Sequence, residues 1–264
     1  MRRILMCPPD HFGIEYEINP WMSRSRGVNA SEARHQWESL FDLLKSRLGF
    51  AISVLPPEPG LPDLVFTANA GLVKDGLFIP AVFRHKERQG ESAVFRRWFE
   101  AQGYEVRPLP ADFHFEGEGD FLRAGPNLFA GYRIRTDIRA HAMVGDILGE
   151  RVLSVELTDP RFYHLDTCFC PLAPDSAIWH PPAFDRYARA VFEAHVPNLI
   201  EVALPDAMRF ACNAVVDGKK IVLNTGCGRL GSTLSAGGYE VVETPLSEFI
   251  KAGGAAKCLV LFLD

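Results

Sequence analysis

The sequence predicts an α/β propeller of ββαβ units around a polar central channel. Tight turns at Lys74-Asp75-Gly76, Ala124-Gly125-Pro126-Asn127, Pro174-Asp175 and Asp217-Gly218-Lys219 each join two short apolar runs. They recur at roughly 45–50 residues, which argues for radial repetition rather than a doubly wound sheet. No G-x-G-x-x-G opens a helix after a strand, so a dinucleotide-binding fold is not expected. Four turns imply at least four units, and the first and last strands can close a fifth.

Each element follows from its pattern. Residues 3–6 read as a strand that ends at the Pro8-Pro9 stop. Residues 31–48 carry a helical apolar stripe capped by Asn29 or Ser31. Strands at 50–54, 70–74 and 77–80 precede a helix over 90–102, and a strand at 104–107 leads to a glycine-rich turn at 116–120. Strands at 121–124 and 127–131, a helix at 137–148 and a strand at 151–156 repeat the unit. So do strands at 167–172 and 176–179, a helix at 183–194 and a strand at 199–203. Strands at 213–217 and 220–224 come next, then a helix at 228–236 and a strand at 239–243. A short helix at 245–251 and a last strand at 258–263 complete the chain.

With 264 residues, 47% of them hydrophobic, the chain is expected to form one domain, 1–264, with a sizeable core. A net charge of −5 with interspersed signs offers no basic footprint for nucleic acid or a membrane surface. No apolar run approaches the roughly 18 residues of a transmembrane helix. The apolar stretch after Arg2-Arg3 is too short for a signal peptide, which points to a cytoplasmic protein. The six cysteines are then expected as reduced thiols. Cys168-Phe169-Cys170, with His164 and Asp166 nearby, has neither C-x2-C nor H-x3-H spacing. Strand alternation would put both cysteines on one core face, so no metal site is expected.

Cys258 lies close to the C-terminus, in Gly253-Gly254-Ala255-Ala256-Lys257-Cys258. On its own it reads as a small apolar residue opening the last strand. A reactive thiol there would need partners from far upstream, and His164 and Glu116 are the natural suppliers. In Phe115-Glu116-Gly117-Glu118-Gly119-Asp120, three carboxylates crowd around two glycines. Like charges that close call for a positive partner, such as a cationic substrate, or for a protonated member. In Tyr163-His164-Leu165-Asp166-Thr167, strand alternation would put His164 and Asp166 on one face, the carboxylate orienting the imidazole or binding a cation. Asp63 and Asn69 flank an apolar turn, where they could equally be ordinary turn residues.

Asp-x-x-Phe-Thr at Asp63, Glu-Gly…Gly-Asp at Glu116, Arg133-Ile134-Arg135-Thr136, His-Leu-Asp-Thr at His164 and Gly-Gly-x-x-x-Cys at Gly253 occur in that order. Together they resemble the guanidine-modifying superfamily of arginine deiminases, dimethylarginine dimethylaminohydrolases, amidinotransferases and arginine dihydrolases, over essentially the whole chain. The resemblance implies a five-bladed, pseudo-symmetric α/β propeller. It makes Cys258 the nucleophile and His164 the general acid and base. Glu116 becomes the catalytic carboxylate, and with Asp63 it anchors the guanidinium nitrogens. Arg135 would grip the substrate carboxylate, and Asp120 and Asp166 would join the substrate site. No cofactor is implied, the partner is a small guanidino compound, and homo-oligomer formation is left open.

Two departures sharpen the expectation. Glu118 is inserted where many relatives have Glu-Gly-Gly-Asp, so Glu118 competes with Glu116 for the catalytic role. Asn69 stands where deiminases and dimethylaminohydrolases carry aspartate, and dihydrolases typically carry asparagine. An amide can donate to the carbonyl of a ureido product where a carboxylate would repel it. The expected reaction is therefore arginine to ornithine, two ammonia and carbon dioxide; the alternative is a dimethylaminohydrolase or deiminase that stops at citrulline, and an amidinotransferase or a non-enzymatic binding propeller stands behind it. Met6-Cys7-Pro8-Pro9 and Tyr16-Glu17-Ile18-Asn19-Pro20-Trp21 resemble the first segment of dihydrolase domains fused to an ornithine cyclodeaminase-like partner. Asn19 would then be a substrate-loop residue, and the fused partner domain is expected to be missing from this chain.

Overall fold

A computed structural model describes residues 2–263. The chain opens with β1 (Arg3–Met6), α1 (Ala30–Leu43) and β2 (Ala51–Val54). The next unit is β3 (Gly71–Lys74), β4 (Leu77–Pro80), α2 (Glu91–Ala101) and β5 (Glu105–Val106). It is followed by β6 (Phe121–Ala124), β7 (Asn127–Tyr132), α3 (Ile138–Leu148) and β8 (Val152–Glu156). Then come β9 (Phe169–Ala173), β10 (Ser176–Trp179), α4 (Arg186–His195) and β11 (Asn198–Glu201). A short α5 (Leu204–Ala207) leads to β12 (Val215–Asp217), β13 (Lys220–Asn224), α6 (Gly228–Ala236) and β14 (Glu240–Thr244). The last elements are α7 (Ser247–Ile250) and β15 (Leu261–Phe262).

The strands form five three-stranded sheets with the same wiring. An antiparallel hairpin is followed by a helix and a parallel third strand, as in β6-β7-β8, where Leu122 faces Phe129 and Phe129 faces Leu153. Asp75 (φ 49°) and Gly76 (φ 79°) are both left-handed, the geometry that a two-residue hairpin turn requires. In the fifth sheet β15 pairs antiparallel with β1, and β1 pairs parallel with β2. The two chain ends therefore build one unit together, as the repeat argument anticipated.

Several boundaries moved for identifiable reasons. Asn29, rather than Ser31, caps α1 by accepting from the Glu32 N–H, and Ala33, Trp37, Leu40 and Leu44 follow on the buried face. The helix expected to run to 48 widens into a π turn over Leu44–Leu48 and stops at left-handed Gly49. The helix expected from 183 starts at Arg186, capped by Asp185, because Pro181–Ala183 forms a separate 3-10 turn. Helix α5 was not foreseen. The strands expected at 167–172 and 258–263 both begin late. Main-chain N–H groups ahead of them bond to side chains: Leu165 to Asp120 Oδ1, and Cys258 to Asn213 Oδ1. His164 and Asp166 thus lie in and beside a 3-10 turn, Leu165–Thr167, and not on a strand face. Cys258 precedes β15 instead of opening it.

A turn precedes the innermost strand in every unit: Thr67–Ala70 before β3, Gly117–Gly119 before β6, Leu165–Thr167 before β9, residues 209–213 before β12 and 255–259 before β15. The first three pack on one another in sequence order, and β15 packs on the first. Glycines permit this. A Cβ on Gly117 would lie 2.5 Å from the Gly71 carbonyl oxygen, and one on Gly119 would lie 2.3 Å from Asn69 Nδ2. Among the described residues no helix is long and apolar enough to cross a membrane.

Candidate active site

The ring of turns brings residues from all five units to one buried region. Cys258, His164, Glu116, Asp63, Asn69, Asp120, Asp166 and Arg135 are each at most 2% exposed, so they act on one another without much solvent screening. Glu116 is the hub of one side. Its Oε2 accepts from His164 Nε2 at 2.7 Å and from Arg135 Nη1 at 2.9 Å, and its Oε1 accepts from the Arg84 N–H at 3.2 Å. Burial alone would raise the carboxyl, but the Arg135 guanidinium and His164 hold it well below the usual carboxylate range. With Nε2 donating to this carboxylate, His164 presents Nδ1 as a bare lone pair, and Nδ1 has no protein partner. Burial pushes His164 down to about 4 against the pull of Glu116, so the ring is neutral and can accept a proton.

A second guanidinium organises the Asp63 turn. Arg88 grips Glu91 with two bonds of 2.8 Å and donates to Asn69 Oδ1 at 2.9 Å and to the Asp63 carbonyl at 3.3 Å. Its Nε lies 3.8 Å from Asp63 Oδ2, while Asp63 Oδ1 has no protein partner. Burial raises the Asp63 carboxyl despite Arg88. Arg88 and Glu91 were missed in the sequence. The only signal was an Arg-x-x-Glu pair at the start of α2, which reads as a surface i,i+3 pair.

Cys258 sits opposite. Its thiol is directed to Asp166 Oδ2 at 3.4 Å and accepts from Asn213 Nδ2 at 3.1 Å. Burial pushes the thiol well above its ordinary range, and the Asp166 carboxylate pushes it further. Burial also raises Asp166 to about 7 against Lys257, and its Oδ1 has no protein partner. Asn213, in the turn before β12, was missed as well, because no recognisable motif surrounds it.

Other expected residues take supporting positions. Asp120 accepts from Thr136 Oγ1 at 2.6 Å and from the Leu165 N–H at 3.1 Å, which anchors the His164 turn. Glu118 faces away from His164. It binds Lys257 Nζ at 2.8 Å and the Phe262 N–H at 3.2 Å, beside a cavity of about 720 Å³ that Asp166 also lines. Geometry thus places Glu116, and not Glu118, against the imidazole. Arg135 also donates to the Ile18 carbonyl at 3.1 Å and lies over the Tyr163 ring. Asn19 is less buried than the rest. It donates to the Ala252 carbonyl at 3.0 Å and accepts from the Trp21 and Met22 N–H groups, pinning its loop to the segment that carries Cys258. All six cysteines are free and buried. Cys168 and Cys170 lie in the core, with their thiols directed to main-chain carbonyls.

No family model matches the chain, but known proteins resemble it in sequence and fold. The chain is 46% identical over 264 residues to the bifunctional arginine dihydrolase/ornithine cyclodeaminase AgrE of Nostoc sp. and 47% identical to ArgZ of Synechocystis sp.. Each match covers 98% of this chain, which spans only 37% of either relative. It is 42% identical to the N(G),N(G)-dimethylarginine dimethylaminohydrolase of Mycobacterium tuberculosis, covering 98% of this chain and 85% of that protein. In structure it resembles the product-bound N-terminal domain of ArgZ, with a TM-score of 0.96 at 44% identity, covering 100% of this chain and 97% of that one. A dimethylarginine dimethylaminohydrolase from Pseudomonas aeruginosa, in complex with citrulline, shares the fold with a TM-score of 0.83 at 20% identity, over 99% and 98% of the two chains.

Proposed function

The chain belongs to the guanidine-modifying superfamily, and from that premise we propose that it is a cysteine-dependent hydrolase converting L-arginine to ornithine, two ammonia and carbon dioxide. In this reading residues 1–264 are one catalytic domain, and its five sheets are the blades of a pseudo-symmetric propeller. No cofactor is called for. The observation that carries the proposal is that three of the buried polar atoms without a partner among the described residues, Asp63 Oδ1, Asp166 Oδ1 and His164 Nδ1, belong to this site. Leaving each unpaired costs about 1–3 kcal/mol. A guanidinium supplies five N–H donors in a planar fork and a positive charge, which answers both carboxylates.

The chemistry follows from the geometry. A bound guanidinium would favour the ionised forms of Cys258 and Asp166, supplying the cation that the thiol side lacks. The thiolate attacks the central carbon and forms a tetrahedral adduct. His164, having taken up a proton, delivers it to the departing ammonia and leaves a covalent S-alkylthiouronium. Water deprotonated by His164 then adds, and the C–S bond breaks to give citrulline. A second round expels the second ammonia, and hydrolysis of the resulting thiocarbamate gives a carbamate that loses carbon dioxide. Asn69, with Nδ2 a donor, can hold the ureido carbonyl between the two rounds.

The test is to supply L-arginine and dimethylarginine separately and to identify every product by mass spectrometry. Ornithine from arginine without accumulating citrulline supports the proposal. Citrulline as the end product overturns the double hydrolysis, and turnover of dimethylarginine alone makes the chain a dimethylaminohydrolase.

A further inference from the structure

Asn213 comes from the fourth unit and is fully buried. Its Oδ1 accepts from the main-chain N–H groups of Ala255 and Cys258, both at 3.1 Å. Two donors on that atom fix the amide orientation, because only an oxygen can meet them. Nδ2 must therefore face the other way, where it donates to the Asp166 carbonyl at 3.1 Å and to Cys258 Sγ at 3.1 Å. The sulfur is thus held as an acceptor, with its own proton directed to Asp166 Oδ2. A neutral thiol accepts weakly and a thiolate strongly, so this donor discriminates between the two forms. One side chain thereby ties together the His164–Asp166 turn, its own turn and the Cys258 turn.

We infer that Asn213 is the positioning residue of the nucleophile, aiming Cys258 through the main chain and stabilising its thiolate through the amide N–H. The inference rests on the reading of Cys258 as the nucleophile and adds the residue that holds it ready. The titratable groups around the sulfur are Asp166 and Tyr163, with His164 on the same turn. Lys257 and Glu118 act on it through Asp166. Among the side chains around the sulfur, the Asn213 amide is the one that donates to it, and the Ala255 main-chain N–H favours the thiolate as well.

Asn213→Asp keeps the shape and the two main-chain acceptor bonds but replaces the donor at the sulfur with an oxygen. Alkylation of Cys258 by iodoacetamide, followed by peptide mass spectrometry across pH with Cys258→Ala as the blank, reads the thiol directly. The reaction midpoint should rise by at least about one pH unit in Asn213→Asp. Because the new carboxylate would raise the thiol by its own charge, the neutral Asn213→Leu, which also lacks the donor, must raise the midpoint too; an unmoved midpoint in either folded variant overturns the inference. Should these variants not fold, the Asn213 side-chain amide resonances of the unmutated protein decide. They should shift with the thiol midpoint and stop shifting in Cys258→Ala; resonances that ignore pH, or titrate alike in both, overturn it. Alkylation needs no substrate. A moved midpoint without arginine turnover sinks the hydrolase reading and leaves Asn213 its role, whereas turnover with an unmoved midpoint does the reverse.

Discussion

The two sides of the site treat buried charge in opposite ways. Around Glu116, the guanidinium groups of Arg88 and Arg135 face the carboxylates of Asp63, Glu91 and Glu116, and Glu116 is held ionised. Around Cys258, among the described residues, no cation is paired with the sulfur or the Asp166 carboxylate, and burial drives both toward their protonated forms. Lys257 adjoins Cys258 in sequence, yet its ammonium is spent on Glu118 and the Val260 carbonyl. On the first side most of the charge is paired within the protein, with Asp63 Oδ1 left open, and on the second the thiol and Asp166 have no such pairing. In the proposed reaction such a thiol stays dormant until a guanidinium arrives.

Breaking the thiol side at its centre should have the largest effect. Cys258→Ser should lower turnover by on the order of 10³-fold or more while arginine binding, measured by calorimetry, survives. Loss of binding together with turnover would show that the sulfur is part of the binding surface.

On the charged side, Arg135→Met leaves Glu116 buried without its main partner and should cost about 3–5 kcal/mol in chemical denaturation at neutral pH. Glu116 is depressed below its ordinary 4.5, so its stabilising share is present above that value and lost as pH falls through the folded value. Arg135→Met should therefore show a flatter loss of stability in acid than the parent.

Asp166 carries the opposite sign. Its folded value of about 7 exceeds the ordinary 3.8, so stability is complete below 3.8 and lost as pH rises through about 7. Asp166→Asn should remove that loss and gain on the order of 3 kcal/mol on the parent between mildly acidic and mildly basic solution. Equal slopes for the two proteins would mean that Asp166 is already answered in the folded state.

Asn69→Asp adds a further carboxylate to the charged side beside Arg88. The ornithine-to-citrulline product ratio should fall about tenfold, because the donor to the ureido carbonyl is gone. An unchanged ratio would remove Asn69 from the second round. The smallest effect on turnover belongs to Glu118→Gln, which should keep it within about threefold while losing about 3–5 kcal/mol of stability, because the buried Lys257 ammonium loses its carboxylate. A Glu118 variant as inactive as Glu116→Gln would contradict the geometry that separates them.

Much of the fold was legible because a repeating unit repeats its signals. Four tight turns marked four hairpins, and the capped, periodic helices fell between them. Asp63, Glu116, His164 and Cys258 were legible as carboxylates, an imidazole and a thiol beside glycines and apolar strand ends. Asn213 was not, since an asparagine in Ala211-Cys212-Asn213-Ala214 carries no charge, spacing or glycine that separates it from a turn residue. Arg88 and Glu91 were not, since an i,i+3 pair on a helix looks the same buried or exposed. The strand reading of His164 and Asp166 failed because alternation describes a chain bonded to a neighbouring strand, and there the Leu165 N–H is bonded to Asp120 instead.

Local physics written into the sequence determined the ββαβ repeat, the apolar faces that make its core and the chemical types available for catalysis. Tertiary structure alone decided that Glu116 and Glu118, two residues apart, look in opposite directions, one to His164 and the other to Lys257. It also decided that a thiol at the end of the chain rests on an asparagine 45 residues before it. These choices depend on which side of a turn faces the centre when five units meet, and that is set by contacts between segments far apart in the chain.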